Sequence, residues 1–284
     1  MQSAELISLV ITTYNRSDAL VSVLQALAKQ DDPCFEIVIA DDGSTPQHQA
    51  LVQKGLKAYG LKATHVWHPD VGFTASRVRN LGVLAAQGKY VVLMDGDCVP
   101  ENDFVRRHRM LAEPGCFVNG SRVMLSEKLT HDVLQGRTQV FGRKWPFWLL
   151  QRLAGRASKW TALMRLPDMT RRKQKAFLWK GIRSCNMAVW RDDYEAVNGF
   201  DESFVGWGHE DADFVLRLHN AGKIRKNGYL STEVYHLWHK QSSRAEESKN
   251  AARVKERMAS GQVKATIGYS ESSGAKDMVL SSWG

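Results

Sequence analysis

No apolar run in these 284 residues approaches the roughly 20 needed to cross a bilayer, so no transmembrane helix is expected. The opening residues, Met1-Gln2-Ser3-Ala4-Glu5, lack a basic stretch followed by an apolar one, which argues against a secretory signal. Cysteine is scarce and scattered: Cys34, Cys98, Cys116 and Cys185 form no CxxC pair. That spacing disfavours a structural zinc site and a disulfide scaffold and suits a reducing cytoplasm. There is no internal repeat and no recognisable nucleic-acid module, so nucleic acid is not an expected partner. What remains, at 43% hydrophobic and 24% charged, has the composition of an ordinary globular protein of one large domain or two small ones.

Charge is unevenly placed. The 39 Lys and Arg exceed the 30 Asp and Glu by nine. Residues 137–183 hold 13 of the cations and a single acid, Asp168, a local +12 that leaves the rest of the chain at −3. Trp145, Trp148, Trp160 and Trp179 fall in the same stretch. Lys and Arg are attracted to anionic bilayers and tryptophan settles at the headgroup level. The run FGRKWPFWLLQRL at 141–153 therefore reads as an interfacial anchor on an anionic membrane surface, or as a solvated basic surface whose tryptophans are core.

The first hundred residues alternate β-branched runs with helical patterns. Strands are expected at 6–11, 36–40, 64–67 and 90–94, the last a continuous apolar run suited to burial on both faces. A helix capped by Ser17 carries Leu20, Val23, Leu24 and Leu27, another opens at Thr45-Pro46, and a third covers about 74–87. This order predicts an α/β protein with a doubly wound, mostly parallel sheet, helices on both faces and ligands at the carboxyl ends of the strands. Polar clusters fall at those ends: 12–16 (TTYNR), 41–44 (DDGS) and 95–97 (DGD). Later, a helix is expected at about 210–221, closed by Gly222, and a solvated helix at 245–259.

Asp95-Gly96-Asp97 on its own could be a plain turn, but directly after a buried strand its two carboxylates one residue apart offer hard ligands for Mg²⁺ or Mn²⁺ and through it a diphosphate. The 41–44 cluster offers a carboxylate to a nucleobase N–H or a ribose hydroxyl, or is a plain turn. In 206–213 (GWGHEDAD), glycines flank a tryptophan and acids crowd a helix N-terminus, which reads either as a glycine-rich loop into an acid-capped helix or as a sugar platform in Trp207 with a general base among the acids. His236 and His239 follow a short strand and offer metal ligands beside Asp95 and Asp97.

The blocks 7–16 (ISLVITTYNR), 37–44 (IVIADDGS), 70–82 (DVGFTASRVRNLG) and 90–100 (YVVLMDGDCVP) resemble those of family 2 glycosyltransferases with the GT-A fold. Block 186–216 (NMAVWRDDYEAVNGFDESFVGWGHEDADFVL) resembles the carboxyl-terminal motif shared by β-1,4-galactosyltransferases and bacterial chondroitin polymerases. His209 is similar to the polymerase form; the galactosyltransferase form has Gly there, and a third acid at the position of Ala212. The resemblance covers about 6–120 and 183–240. It implies a GT-A catalytic domain over 1–240, with 6–120 the donor half, 121–182 a basic Trp-rich insert facing acceptor or membrane, and 183–240 the acceptor and catalytic half. The remainder, 241–284, is expected as a polar C-terminal tail.

The same resemblance implies roles. Thr12, Tyr14 and Arg16 would line the nucleotide pocket, Asp41 would meet the uracil, and Arg79 would lie near the nucleotide. Asp95 would contact ribose or metal, and Asp97 would be the principal metal ligand with His236 or His239. Trp207 would sit where the sugars meet. Asp211, with Glu210 as second candidate, would deprotonate the acceptor hydroxyl. The implied activity is an inverting transfer, dependent on Mn²⁺ or Mg²⁺, of a hexose or N-acetylhexosamine from a UDP-sugar. The acceptor would be a glycan or lipid-linked saccharide of lipopolysaccharide or capsule type, at the cytoplasmic face of the membrane. The rivals are a non-catalytic sugar-nucleotide or glycan-binding module, and a nucleotidylyltransferase, which would want glycine in the 12–16 loop.

Overall fold

The computed structural model describes residues 5–240 and 246–284. Residues 1–4, on which the expectation about a secretory signal falls, and Ala245, the first residue of the expected tail helix, lie outside the described residues. The chain opens with β1 (Ile7–Thr13), α1 (Ser17–Leu27), β2 (Phe35–Asp41), α2 (Pro46–Tyr59), β3 (Ala63–Trp67), α3 (Ala75–Ala85) and β4 (Tyr90–Asp95). Next come β5 (Cys98–Pro100), α4 (Phe104–Leu111), β6 (Cys116–Asn119), β7 (Ser121–Met124), α5 (Glu127–Leu134), α6 (Trp145–Leu153) and β8 (Lys173–Gln174). The chain closes with β9 (Asn186–Trp190), α7 (Arg191–Ala196), α8 (Glu210–Asn220), β10 (Ile224–Asn227), β11 (Glu233–His236), α9 (Glu247–Ser260), α10 (Tyr269–Ser272) and β12 (Val279–Trp283).

The main sheet runs β12-β3-β2-β1-β4-β9-β6-β10-β8, with β3, β2, β1 and β4 parallel and β9 antiparallel to both its neighbours. Strand alternation divides the core in two. Ile7, Leu9 and Ile11 of β1 face α1, whereas Val10 and the β4 residues Val91 and Leu93 face α3, α7 and α8. A strand sandwiched this way must be apolar on both faces, which is why these runs are continuous. A small sheet, β5-β11-β7, stands beyond the carboxyl end of β4 and carries His236.

Three expectations change. Ser17 begins α1, and its residue before the helix is Arg16, with no side-chain cap. The tail is not an appendage from Glu246 onward: β12 pairs antiparallel with β3 and closes the sheet edge, and Trp283 stacks on His65 with centroids 3.6 Å apart. Nor is the tail helix solvated all round. Val254 of α9 is buried, and Arg257 reaches Asp213 at 2.5 Å and Asp201 at 2.6 Å, binding α9 to α8 through charged pairs that look like surface in the sequence.

The tryptophans of the basic stretch divide by burial. Trp148 is fully buried and stacks on Tyr235 at 4.2 Å, and Trp179 packs edge-on against His209 at 5.2 Å. Trp145 and Trp160 stand exposed.

Candidate functional site

The site forms where β1, β2 and β4 end. Thr12 and Asp95 are register partners across β1 and β4, and the Thr12 hydroxyl donates to Asp95 Oδ1 at 3.1 Å. Gly96 follows because its amide bonds Thr12 O at 2.7 Å, and a Cβ there would stand 2.9 Å from the same oxygen. That turn aims Asp97 at the small sheet. Its Oδ1 faces His236 Nε2 at 3.7 Å and its Oδ2 faces His239 Nε2 at 3.4 Å. These separations are long for hydrogen bonds but natural for ligands converging on one cation. Cys98 Sγ lies 3.7 Å from Asp97 Oδ1, and burial pushes its thiol up. Burial also lowers His236, keeping its ring neutral as a ligand requires, and its Nδ1 has no hydrogen-bond partner. Asp97, Cys98 and His236 bring one ligand atom each within 4.8 Å of one another, a set that fits a divalent cation, and His239 lies beside the same carboxylate. Both histidines reach Asp97, so the structure brings both together with it.

Opposite stands the N-terminus of α8. Gly206 (φ 75°) and Gly208 (φ 111°) turn the chain, and His209 enters the helix in the left-handed region at φ 70°. Trp207, Glu210 and Asp211 then line the same cavity as Asp95, Asp97 and the histidines, a volume of about 510 Å³. Burial is the main reason that Glu210 is raised to about 7, with Asp211 adding to it and Arg79 opposing. Asp211 is raised as well, again by burial, against the pull of Arg79 and of the Ala212 amide.

Arg79 joins the two halves. It extends from α3 across the ring of Phe200, donating to Asp95 Oδ1 at 3.1 Å and to Glu210 Oε1 at 3.5 Å. Burial works against its charge, yet the surrounding carboxylates hold it above the ordinary guanidinium value. A second cavity of about 320 Å³ shares Phe73, Arg79 and Asp95 with the first and adds Thr12, Tyr14 and Asp42.

Two expected nucleotide residues are placed elsewhere. Asp41 is the last residue of β2 and turns inward. Its Oδ1 accepts the Ser44 amide at 2.8 Å and its Oδ2 meets His65 Nε2 at 3.0 Å. Its neighbour Asp42 lines the cleft instead, because adjacent residues leaving a strand point to opposite sides. Asp42 is held by the Thr74 amide at 3.1 Å, by the Thr74 hydroxyl and by His68 Nε2 at 3.0 Å. Arg16, just before α1, pairs with Asp18 of that helix at 3.0 Å and lines neither cavity.

The family model described as "Glycosyl transferase family 2" matches residues 8–194. The chain belongs to that family. A second model, the "N-terminal domain of galactosyltransferase", matches residues 170–240 and so spans α8 and β11 of the family 2 chain.

The family 2 chain is 30% identical over 230 residues to a validoxylamine A glucosyltransferase of Streptomyces hygroscopicus subsp. jinggangensis, a match covering 76% of this chain and 52% of that protein. It is 28% identical over 237 residues to a chondroitin synthase of Pasteurella multocida, covering 76% of this chain and 23% of that one. The chain thus spans about half or less of these relatives. Among solved structures, Staphylococcus aureus TarS residues 1–349 with UDP-GlcNAc superposes at a TM-score of 0.61, with 16% identity, covering 94% of this chain and 69% of that one. A mannosyltransferase of Pyrobaculum calidifontis with GDP-Man and Mn²⁺ superposes at 0.57, with 16% identity, covering 93% and 70%. These neighbours show the GT-A fold.

Sequence reasoning missed further lining groups. Arg122 and Arg183 border the larger cavity, Arg122 beside His236 and Arg183 beside Asp211. Arg183 was counted only in the basic stretch, and Arg122 has no local signal. Trp179, from the same stretch, does not line the cavity but donates its indole N–H to the lining residue His209, at Nδ1 and 3.3 Å.

Proposed function

We propose that this chain is an inverting, metal-dependent glycosyltransferase. It moves a hexose or N-acetylhexosamine from a UDP-sugar to a hydroxyl of a bacterial glycan or lipid-linked saccharide, of lipopolysaccharide or capsule type, forming a β-linkage. The observation that carries this reading is the shared cavity: the Asp97–His236–His239 cluster and Asp211 open into one space that continues at Arg79 and Asp95 into a second. Relatives named as a glucosyltransferase and a chondroitin synthase agree with glycosyl transfer, and neighbours of the same fold with UDP-GlcNAc or with GDP-Man and Mn²⁺ agree with a nucleotide-sugar and a cation.

In this reading the nucleoside occupies the smaller cavity. Tyr14 and Thr12 flank it, Asp42, in place of Asp41, accepts the base N–H, and Asp95 accepts from the ribose. Asp97, His236 and His239 would hold the cation, and two imidazoles in the set suit Mn²⁺ better than Mg²⁺, which favours oxygen. When bound, the cation supplies Lewis-acid stabilisation of the leaving diphosphate. Arg122 adds fixed positive charge beside His236, whereas Arg183 stands beside Asp211. Trp207 offers a flat apolar face to the sugars.

Asp211 accepts the proton of the acceptor hydroxyl as that oxygen bonds to the anomeric carbon and the bond to UDP breaks on the opposite face. One displacement turns an α-linked donor into a β-linked product. Burial raises the Asp211 carboxyl, which makes it a stronger base than an exposed aspartate. Glu210, tied to Arg79, positions the turn of α8 that carries Asp211. The Asp211→Asn variant is expected to lose about 10²–10⁴-fold in kcat while keeping its affinity for UDP. Turnover at the wild-type rate would remove Asp211 from this role. A chain that binds UDP-sugars and transfers to nothing would be a binding module.

A further inference from the structure

The segment 178–184 is fastened to the protein by its backbone and presents one cation to the larger cavity. Gly181 turns the chain at φ 82°, in the left-handed region that favours glycine. Buried Asn119, at the end of β6, clamps both sides of that turn. Its Nδ2 donates to Gly181 O at 3.0 Å, and its Oδ1 accepts the Arg183 amide at 3.3 Å. From β10, Arg225 donates to Leu178 O at 2.9 Å and to Gly181 O at 3.3 Å. The next amide, that of Ser184, bonds the Asp211 carboxylate. The exposed Arg183 side chain therefore leaves a fixed backbone beside Asp211, on the wall of the cavity that both residues line.

The charge of Arg183 has no answer within the described chain. Its Nη1 donates to Ile182 O at 2.6 Å, and among the described residues no ion pair ties it to a carboxylate. The acids of the cavity are engaged elsewhere: Asp95 and Glu210 meet Arg79, and Asp97 faces the histidines. Its neighbour Arg225 carries the same sign and is itself buried. Arg183 also pulls the Asp211 carboxyl down, which weakens a base, and an anion paired with the guanidinium would relieve that pull. Exposed Lys240 lines the same cavity, again with no ion pair among the described residues. Arg122, by contrast, stands on the His236 side, where the leaving diphosphate is read.

We propose that the acceptor is an acidic saccharide whose carboxylate or phosphate pairs with Arg183 while its reacting hydroxyl meets Asp211. A guanidinium fork fits either anion through two parallel N–H···O bonds. Trp207, before α8, and Trp238, after β11, are part-exposed in the same cavity and offer flat faces to sugar rings. Ring and anion are thus read by separate groups. The proposal rests on the transfer proposed above, which sets Asp211 at the acceptor. It narrows the acceptor to one carrying a negative group near the hydroxyl that reacts.

The test titrates methyl β-glucuronide, methyl β-glucoside 6-phosphate and neutral methyl β-glucoside into the full chain loaded with UDP and Mn²⁺, followed by intrinsic tryptophan fluorescence. The same titrations on the protein alone, beside a titration of UDP itself, show separately whether the donor reading fails. The wild type is expected to favour one of the acidic probes over the glucoside by about tenfold or more, and whichever it favours names the anion. Raising salt from about 0.1 M to about 1 M should shrink that preference. Arg183→Gln should remove it while keeping the affinity for the glucoside and for UDP. Arg183→Lys, which keeps the charge and loses the fork, should restore only part of it. Absence of any preference for an acidic probe, or a preference that survives Arg183→Gln, would overturn the proposal. So would an equal loss of UDP affinity in Arg183→Gln, which would assign the cation to the diphosphate. A preference for UDP-glucuronic acid over UDP-glucose that Arg183→Gln abolishes, in place of the glucuronide preference, would assign it to the donor sugar.

Discussion

Glu210 gives a test that needs no substrate. Its carboxyl is raised to about 7 from an ordinary 4.5, chiefly by burial, and that gap corresponds to about 3 kcal/mol. The sign follows from proton counting. Between about pH 4.5 and pH 7 the unfolded chain has lost this proton while the folded protein keeps it, so stability falls as pH rises through that window and levels off above it. Glu210→Gln has no proton to lose and escapes the fall. Measured by urea unfolding across a pH series, the variant's stability relative to wild type should climb by about 2–3 kcal/mol between about pH 5 and pH 8. Asp211 is one of the groups that raise Glu210, so the change measured is the response of the pair. Parallel curves would refute the reasoning, because they would mean that Glu210 ionises in the fold as freely as in water.

Asp42→Ala should weaken UDP binding about tenfold or more, the loss of a hydrogen bond to a charged acceptor, whereas Asp41→Ala should spare affinity and cost about 1–3 kcal/mol of stability through its buried partners His65 and Ser44. Titration and denaturation of the two variants separate these roles, and the reverse pattern would return the nucleobase to Asp41. Asp97→Ala should abolish the Mn²⁺-dependent part of UDP binding, and an affinity unchanged with Mn²⁺ would remove Asp97 from the cation site. Trp283→Ala should cost about 3–5 kcal/mol, as for a large buried aromatic, and an unchanged unfolding midpoint would mean that β12 does not brace the sheet edge.

The central strands were legible because burial on both faces writes itself as a continuous apolar run, as in Tyr90–Asp95. The small β5-β11-β7 sheet was largely hidden: its strands are three or four residues long and pair across more than a hundred positions. β12 escaped notice because an edge strand is half exposed, and VLSSW gives little period-two signal. α9 looked solvated because much of its inner face is charged, with Arg257 satisfied by Asp201 and Asp213 far off in sequence. The aspartate, glutamate and histidine positions of the site could be read from their motifs. Which of two adjacent aspartates faces the cleft could not, since a one-residue change at a strand end reverses the side and DDGS contains no marker of it.

Calorimetric titration of UDP and a panel of UDP-sugars, with Mn²⁺ and again with EDTA, tests the central claim most directly. Binding that requires the cation, with one sugar preferred, is the expected result. Absence of binding to any uridine nucleotide, or binding indifferent to EDTA, would contradict it.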